Sequence, residues 1–213
     1  MKRRTLDLMF SLGGVLIAVL LAVAGVVLSA NARFAEDYVA TQLAQQNITF
    51  KPLDTLTDEE RRSPGLVEYA GQRLTTGKQA EVYANEFIGL HLKSIAGGRT
   101  YADLGEPQTA LRAQVTQAQQ AGAANLAELQ QQLADVTAQR ETVFKGETLR
   151  GLLLTTYGFS EFGVKAGQAA LVAYAAAVLL ALLAAAGLVH AWMTPRTRAF
   201  APVEQATREP AGV

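Results

Sequence analysis

The chain has no cysteine at all, only two histidines, one tryptophan and six prolines in 213 residues, and its 19 Lys+Arg are matched by 19 Asp+Glu. Each shortage excludes something. Without cysteine there is no disulfide, no thiolate nucleophile and no thiolate-ligated metal. A net charge of zero argues against a nucleic-acid partner, which calls for a basic surface. Charge is also missing locally, and this absence matters most: no ionisable side chain occurs from Leu8 to Ala32, and His190 is the first after Lys165 apart from the Tyr174 phenol. About 20 apolar residues suffice to cross the hydrocarbon core of a bilayer, so each run is long enough to span one.

What remains between the runs is a polar segment of domain size. The whole therefore reads as all-α, with two antiparallel transmembrane helices and an extracytoplasmic helical domain between them. The expected boundaries are a cytoplasmic N-terminus at 1–7, a first span at 8–30, the domain at 31–165, a second span at 166–192 and a cytoplasmic tail at 193–213. Sidedness follows from the flanks. Lys2, Arg3 and Arg4 precede the first run, Arg196, Arg198 and Arg208 follow the second, and residues 33–165 carry 13 Lys+Arg against 16 Asp+Glu. Basic flanks stay cytoplasmic, which puts both termini inside and the domain outside a plasma membrane. The first run also has a signal-peptide look, with Ala30-Asn31-Ala32 as a cleavage-like tripeptide. Its apolar length exceeds the usual ~7–15 residues of such a segment, so a retained anchor is expected.

Small residues recur every four positions in both runs: Gly14, Ala18 and Ala22 in the first, and Ala169, Ala173, Ala177, Ala181 and Ala185 in the second. Such spacing lets helices approach closely in a membrane, so these eight are the candidate helix-packing residues, between the spans or between copies, with alanine-rich composition as the bland alternative. Outside the runs, Phe34, Tyr38 and Leu43 are expected to form one face of a helix continuing from the first span. Asn47 to Leu53 reads as extended. Thr57 and Glu60 have capping-box spacing, and Pro64 is expected to open a short helix to about Leu74. Residues 76–96 form the expected core helix, with Val82, Tyr83, Phe87, Leu90 and Ile95 on its face and Gly97-Gly98 as the stop. A Gln-rich helix is expected from Glu106 to about Lys145, broken near Gly122, with Gly158 and Gly163 as joints into the second span.

The search for chemistry returns little. His91 and His190 fall on opposite sides of the expected membrane, so no metal site can use both, and neither stands near a ligand motif. Gly97-Gly98 lacks the lysine and hydroxyl residue of a phosphate loop. No Gly-x-Ser-x-Gly elbow occurs, and no acidic or basic residue lies in the middle of either run to mark an ion path. No catalytic, cofactor or metal residue is assigned. The expected partners are the lipid bilayer and either a membrane protein or a second copy of the chain.

Four strings carry a resemblance: Lys2 to Leu8, Leu74 to Glu81, Tyr83 to Glu86 and Gly146 to Thr155. Through them the chain resembles a family of uncharacterised actinobacterial two-pass membrane proteins. The resemblance implies no activity. It does imply that relatives often carry cysteine at the positions of Gly65 and Val82, which makes those two positions expected neighbours.

Overall fold

A computed structural model describes residues 3–195, and among them it is all-helical with no strand. The elements are α1 (Arg3–Gln45), α2 (Pro64–Glu68), α3 (Gly77–Val82), a π-helical segment (Tyr83–Ile88), α4 (Gly89–Ala96), α5 (Gly105–Ala121) and α6 (Leu126–Met193). Single 3₁₀ turns sit at Leu53–Thr55 and Glu60–Arg62. Two compact units divide these residues, one made of 3–32 with 165–195 and the other of 33–164. The flanking Lys2, Arg196, Arg198, Glu204, Arg208 and Glu209 lie outside the described residues.

The unit of residues 33–164 is built around a main apolar core, with a second, smaller cluster of Ala96, Leu104 and Val143. Val39, Leu43, Phe50, Leu66, Leu74, Ala84, Ile88, Leu92 and Leu153 are among its buried members, with Tyr69, Tyr83 and Phe87 partly buried against them. The first stretch, to Gln45, turns Ala35, Val39 and Leu43 inward and leaves Phe34 and Tyr38 exposed. The expected face of Phe34 and Tyr38 is therefore the outer one. A helix advances 100° per residue, so 35, 39 and 43 share a line that 34 and 38 do not. Phe34, Tyr38 and Phe159 instead touch one another, with ring centroids 5.8 and 5.9 Å apart.

Gln46 and Asn47 turn the chain, Asn47 at φ 53°, so the extended stretch covers only 48–52 of the expected 47–53; it pairs with a second extended stretch, Phe50 N–H donating to the Gln72 carbonyl at 2.9 Å and Leu74 N–H to that of Ile48 at 2.9 Å. The helix opened by Pro64 accordingly ends at Glu68 rather than Leu74, because residues 71–74 satisfy their backbone groups on 48–51 instead. The capping box at Thr57 and Glu60 is present in both directions, at 2.8 and 3.2 Å.

Residues 77–96 form a continuous helix capped by Thr76 and Gln79 in a second capping box and ended by Gly97, whose φ of 60° suits a residue without Cβ. Its buried line is Ala80, Ala84, Ile88, Leu92 and Ala96; of the expected face, Val82 alone is buried with it, at 5% exposed. Tyr83, Phe87 and Leu90 are half-buried, and Ile95 is exposed. The π segment explains the shift. An i→i+5 turn advances each residue by less than an α-turn, so steps of four stay on one face through it.

The break near Gly122 is where the sequence places it, at φ 61°, and the chain folds back as a helical hairpin. Gln108, buried, donates to Thr137 Oγ1 at 2.8 Å and accepts from Arg140 at 2.7 Å across it. No joint occurs at Gly158 or Gly163, since α6 runs unbroken through both. Helix interiors tolerate isolated glycine at a cost of only about 1 kcal/mol, too little to interrupt a run of strong helix formers.

Candidate helix-pairing site

The unit of residues 3–32 and 165–195 consists of the two apolar stretches, and both are long and apolar enough to cross a membrane. Their contacts pair rising numbers on one with falling numbers on the other. A Cβ placed on Gly14 would meet Ala184 at 3.3 Å, one on Gly25 would meet the Tyr174 ring at 2.6 Å, and one on Gly167 would meet Ala32 at 3.6 Å. Ser11 lies directly against Gly187. Tyr174 lays its ring over Gly25 and shares a hydrogen bond with the Ser29 hydroxyl at 3.3 Å, which satisfies its phenol among apolar neighbours.

The buried positions follow a period of seven. On α1 they are Ser11, Ala18 and Gly25, with Ala32 half-buried; on α6 Ala170, Ala177, Ala184 and Ala191 keep that period, with Ala173 also buried between the first two. Seven residues fall only about 20° short of two full turns of a straight helix, so small residues at every seventh position stay close to one line along it. Four residues overshoot a turn by about 40°. From Ala169 to Ala185 that error accumulates to roughly 160°, and the stripe leaves the seam. Of the second-run candidates, Ala173 and Ala177 are buried, whereas Ala169, Ala181 and Ala185 are exposed. In the first run Ala18 is buried, and Gly14 and Ala22 are half-buried. Ala18, Ala22, Ala177, Ala181 and Ala185 do come together, but as the floor of an open apolar groove of about 380 Å³ along one side of the pair, rimmed by valines 15, 19 and 178.

A period of four misses Ser11, Gly25, Ala170, Tyr174, Ala184 and Gly187. A period of seven finds Ser11, Gly25, Ala170 and Ala184, because the same small residue types recur there. Tyr174 has a different signal, as the one polar aromatic inside the second run. At the end of the pair, the buried Asp7 Oδ2 has no hydrogen-bond partner and lies 3.8 Å from His190 Nδ1. Among the described residues, no three of His, Asp or Glu gather closely enough to hold a metal ion. The arrangement is one of close packing between the two apolar stretches. No family model, curated protein or solved structure matches the chain.

Proposed function

We propose that this chain is an integral plasma-membrane protein whose two apolar helices span as an antiparallel pair, with both termini cytoplasmic. On this reading residues 33–164 stand outside as a non-enzymatic scaffold or accessory subunit. One observation carries the membrane part: the sides of the pair turned away from the seam are large and bare. Leu12 and Leu16 are 61% exposed, Leu171 is 70% and Leu182 is 65%. A patch of that size is not left to water, whereas hydrocarbon chains cover it at no cost. The falling-against-rising contact order supports the antiparallel pairing. Exposed Trp192 at one end of α6 has the character of an interfacial residue, as does exposed Phe162.

The scaffold part rests on what the sequence offers. It has no cysteine nucleophile, no nucleotide loop and no ligand cluster, and a packed helical domain presented at a membrane surface suits holding a partner. The likeness to actinobacterial two-pass membrane proteins agrees with the same architecture. Crosslinking in intact membranes, followed by identification of what co-purifies, tests the scaffold. A reproducible membrane-protein partner supports it, and recovery of uncrosslinked chain alone counts against it.

A second reading is a sensor that passes a shift from the domain through the spans to a cytoplasmic partner. It is favoured by the continuity of α1 to Gln45 and of α6 from Leu126, each of which carries residues of both units in one unbroken helix. A ligand-dependent change in crosslinking between the two spans would separate it from a static scaffold.

A further inference from the structure

Glu60, Lys51 and His91 form a polar cluster that lies wholly within residues 33–164, and its chemistry does not depend on the membrane reading. The Glu60 side chain is 1% exposed. Its Oε2 accepts the Thr57 amide N–H at 2.8 Å, and its Oε1 accepts Lys51 Nζ at 2.7 Å while standing 3.5 Å from His91 Nε2. The other ring nitrogen of His91, Nδ1, lies 2.7 Å from the Phe87 carbonyl oxygen. A carbonyl oxygen can only accept, so Nδ1 carries a hydrogen there. A neutral ring then turns a bare lone pair at Nε2 toward a carboxylate oxygen that also only accepts. The doubly protonated ring alone donates in both directions.

We infer that His91 is an acid-closed latch: a proton gained at Nε2 ties α4, through Glu60, to residues 51–62, and its loss releases the tie. The proton comes from solvent and returns to it, since the His91 side chain is 45% exposed. The ring is already positioned, packed on Phe87 with centroids 4.4 Å apart. Lys51 is the competing cation. It shares Oε1, hangs 5.5 Å over the Phe87 ring and is 37% exposed, so it can yield toward water when His91 takes a charge. Two charged groups of the elements packed nearby have partners of their own. Glu86 accepts the Gly65 amide at 2.9 Å, and on α6 Arg150 pairs with Glu147 at 3.3 Å and donates to Asn85 at 3.2 Å. Glu60 stays ionised through the window: burial pushes its carboxyl up, but the bonds from Lys51 and Thr57 outweigh that and hold it below the ordinary 4.5. The tie is present while both ring nitrogens carry a proton and is lost when Nε2 gives its proton up.

Hydrogen–deuterium exchange on the full chain in lipid nanodiscs, at pH 7.5 and 5.5 with intrinsic rates corrected for pH, tests the latch. Amides of residues 53–62 are expected to exchange roughly two- to fivefold more slowly at pH 5.5, the range that a partly exposed ion pair supports, while residues 108–121 stay unchanged. In His91→Gln the difference between the two pH values should vanish. Equal protection of wild-type residues 53–62 at both pH values would overturn the inference without any variant. So would a slowing that persists in His91→Gln.

Discussion

Glu60 is the one charged side chain among the described residues that is almost wholly buried, and it is held by ionic and backbone partners rather than left alone. Burial opposes its charge and the Lys51 and Thr57 bonds favour it, with a net lowering of its pKa from 4.5. A carboxyl lowered in the folded state contributes stability that is present above the unfolded value and lost as pH falls through the folded one. Glu60→Gln should therefore cost about 1.5–3 kcal/mol at pH 7, the worth of hydrogen bonds to a charged group, and should flatten the loss of stability below pH ~4.5. Chemical denaturation of the full chain in detergent at pH 7 and pH 4 measures both effects. Gly65 makes a second case. A Cβ there would sit 2.6 Å from Val82 Cγ1 and 2.9 Å from the Glu86 carboxylate, so Gly65→Ala must displace a β-branched side chain and should cost about 1–3 kcal/mol. The same closeness favours a crosslink when both positions change together. Gly65→Cys with Val82→Cys should form a disulfide under mild oxidation, seen as a mobility shift reversed by reductant, and a pair that stays reduced would separate the two positions.

At the scale of elements, the local punctuation was legible and the long-range register was not. Thr57 with Glu60, Gly97 and Gly122 each act through chemistry confined to one turn, and each sits where the sequence places it. The π segment at Tyr83–Ile88 was not legible, since nothing in Tyr-Ala-Asn-Glu-Phe-Ile separates an i→i+5 turn from an i→i+4 turn. It moved the buried line from the aromatics to Ala84 and Ile88. Residues 71–74 depart from the expected helix for a different reason: the extended stretch they pair with lies 20 to 26 positions away, and only tertiary pairing reveals it. The seam between the apolar helices was half legible. Small residues announce it, but the choice between four and seven depends on whether two helices wind around each other. That choice makes a sharp prediction. Ala177→Leu and Ala184→Leu put bulk on the seam and should weaken pairing, whereas Ala169→Leu points outward and should not. Gly14→Cys with Ala184→Cys should crosslink within one chain, and Ala169→Cys should fail with any partner on α1. Crosslinking yield in membranes reads both. Equal yields from Ala169 and Ala184 would restore the four-residue stripe.

For the whole molecule, the decisive quantity is where large apolar side chains point. In the unit of residues 33–164 they mostly converge on the core around Phe50, Leu74 and Leu92, as in any domain that meets water. In the paired apolar helices the pattern is inverted, with alanine, serine and glycine inside and leucine and valine outside. Water does not favour that inversion, because it forgoes roughly 25 cal/mol for every Å² of apolar surface left wet. Lipid tails are indifferent to it, since they are as apolar as leucine, and close contact along a small-residue seam then becomes the attractive term. The sidedness is a separate matter and rests on charge alone. The proposed orientation follows from basic flanks resisting translocation: Lys2, Arg3 and Arg4 stand before the first run and Arg196, Arg198 and Arg208 after the second, while the middle is mildly acidic. A reporter fused after Phe50 should therefore be active only outside the membrane, and one fused after Ala199 only inside. Replacing Lys2, Arg3 and Arg4 with glutamine should erode that difference at the first site, because the bias that fixes the first span is then gone. The same side for both reporters would leave one of the apolar helices out of the membrane, and the bare leucines along it would then need another protein to cover them.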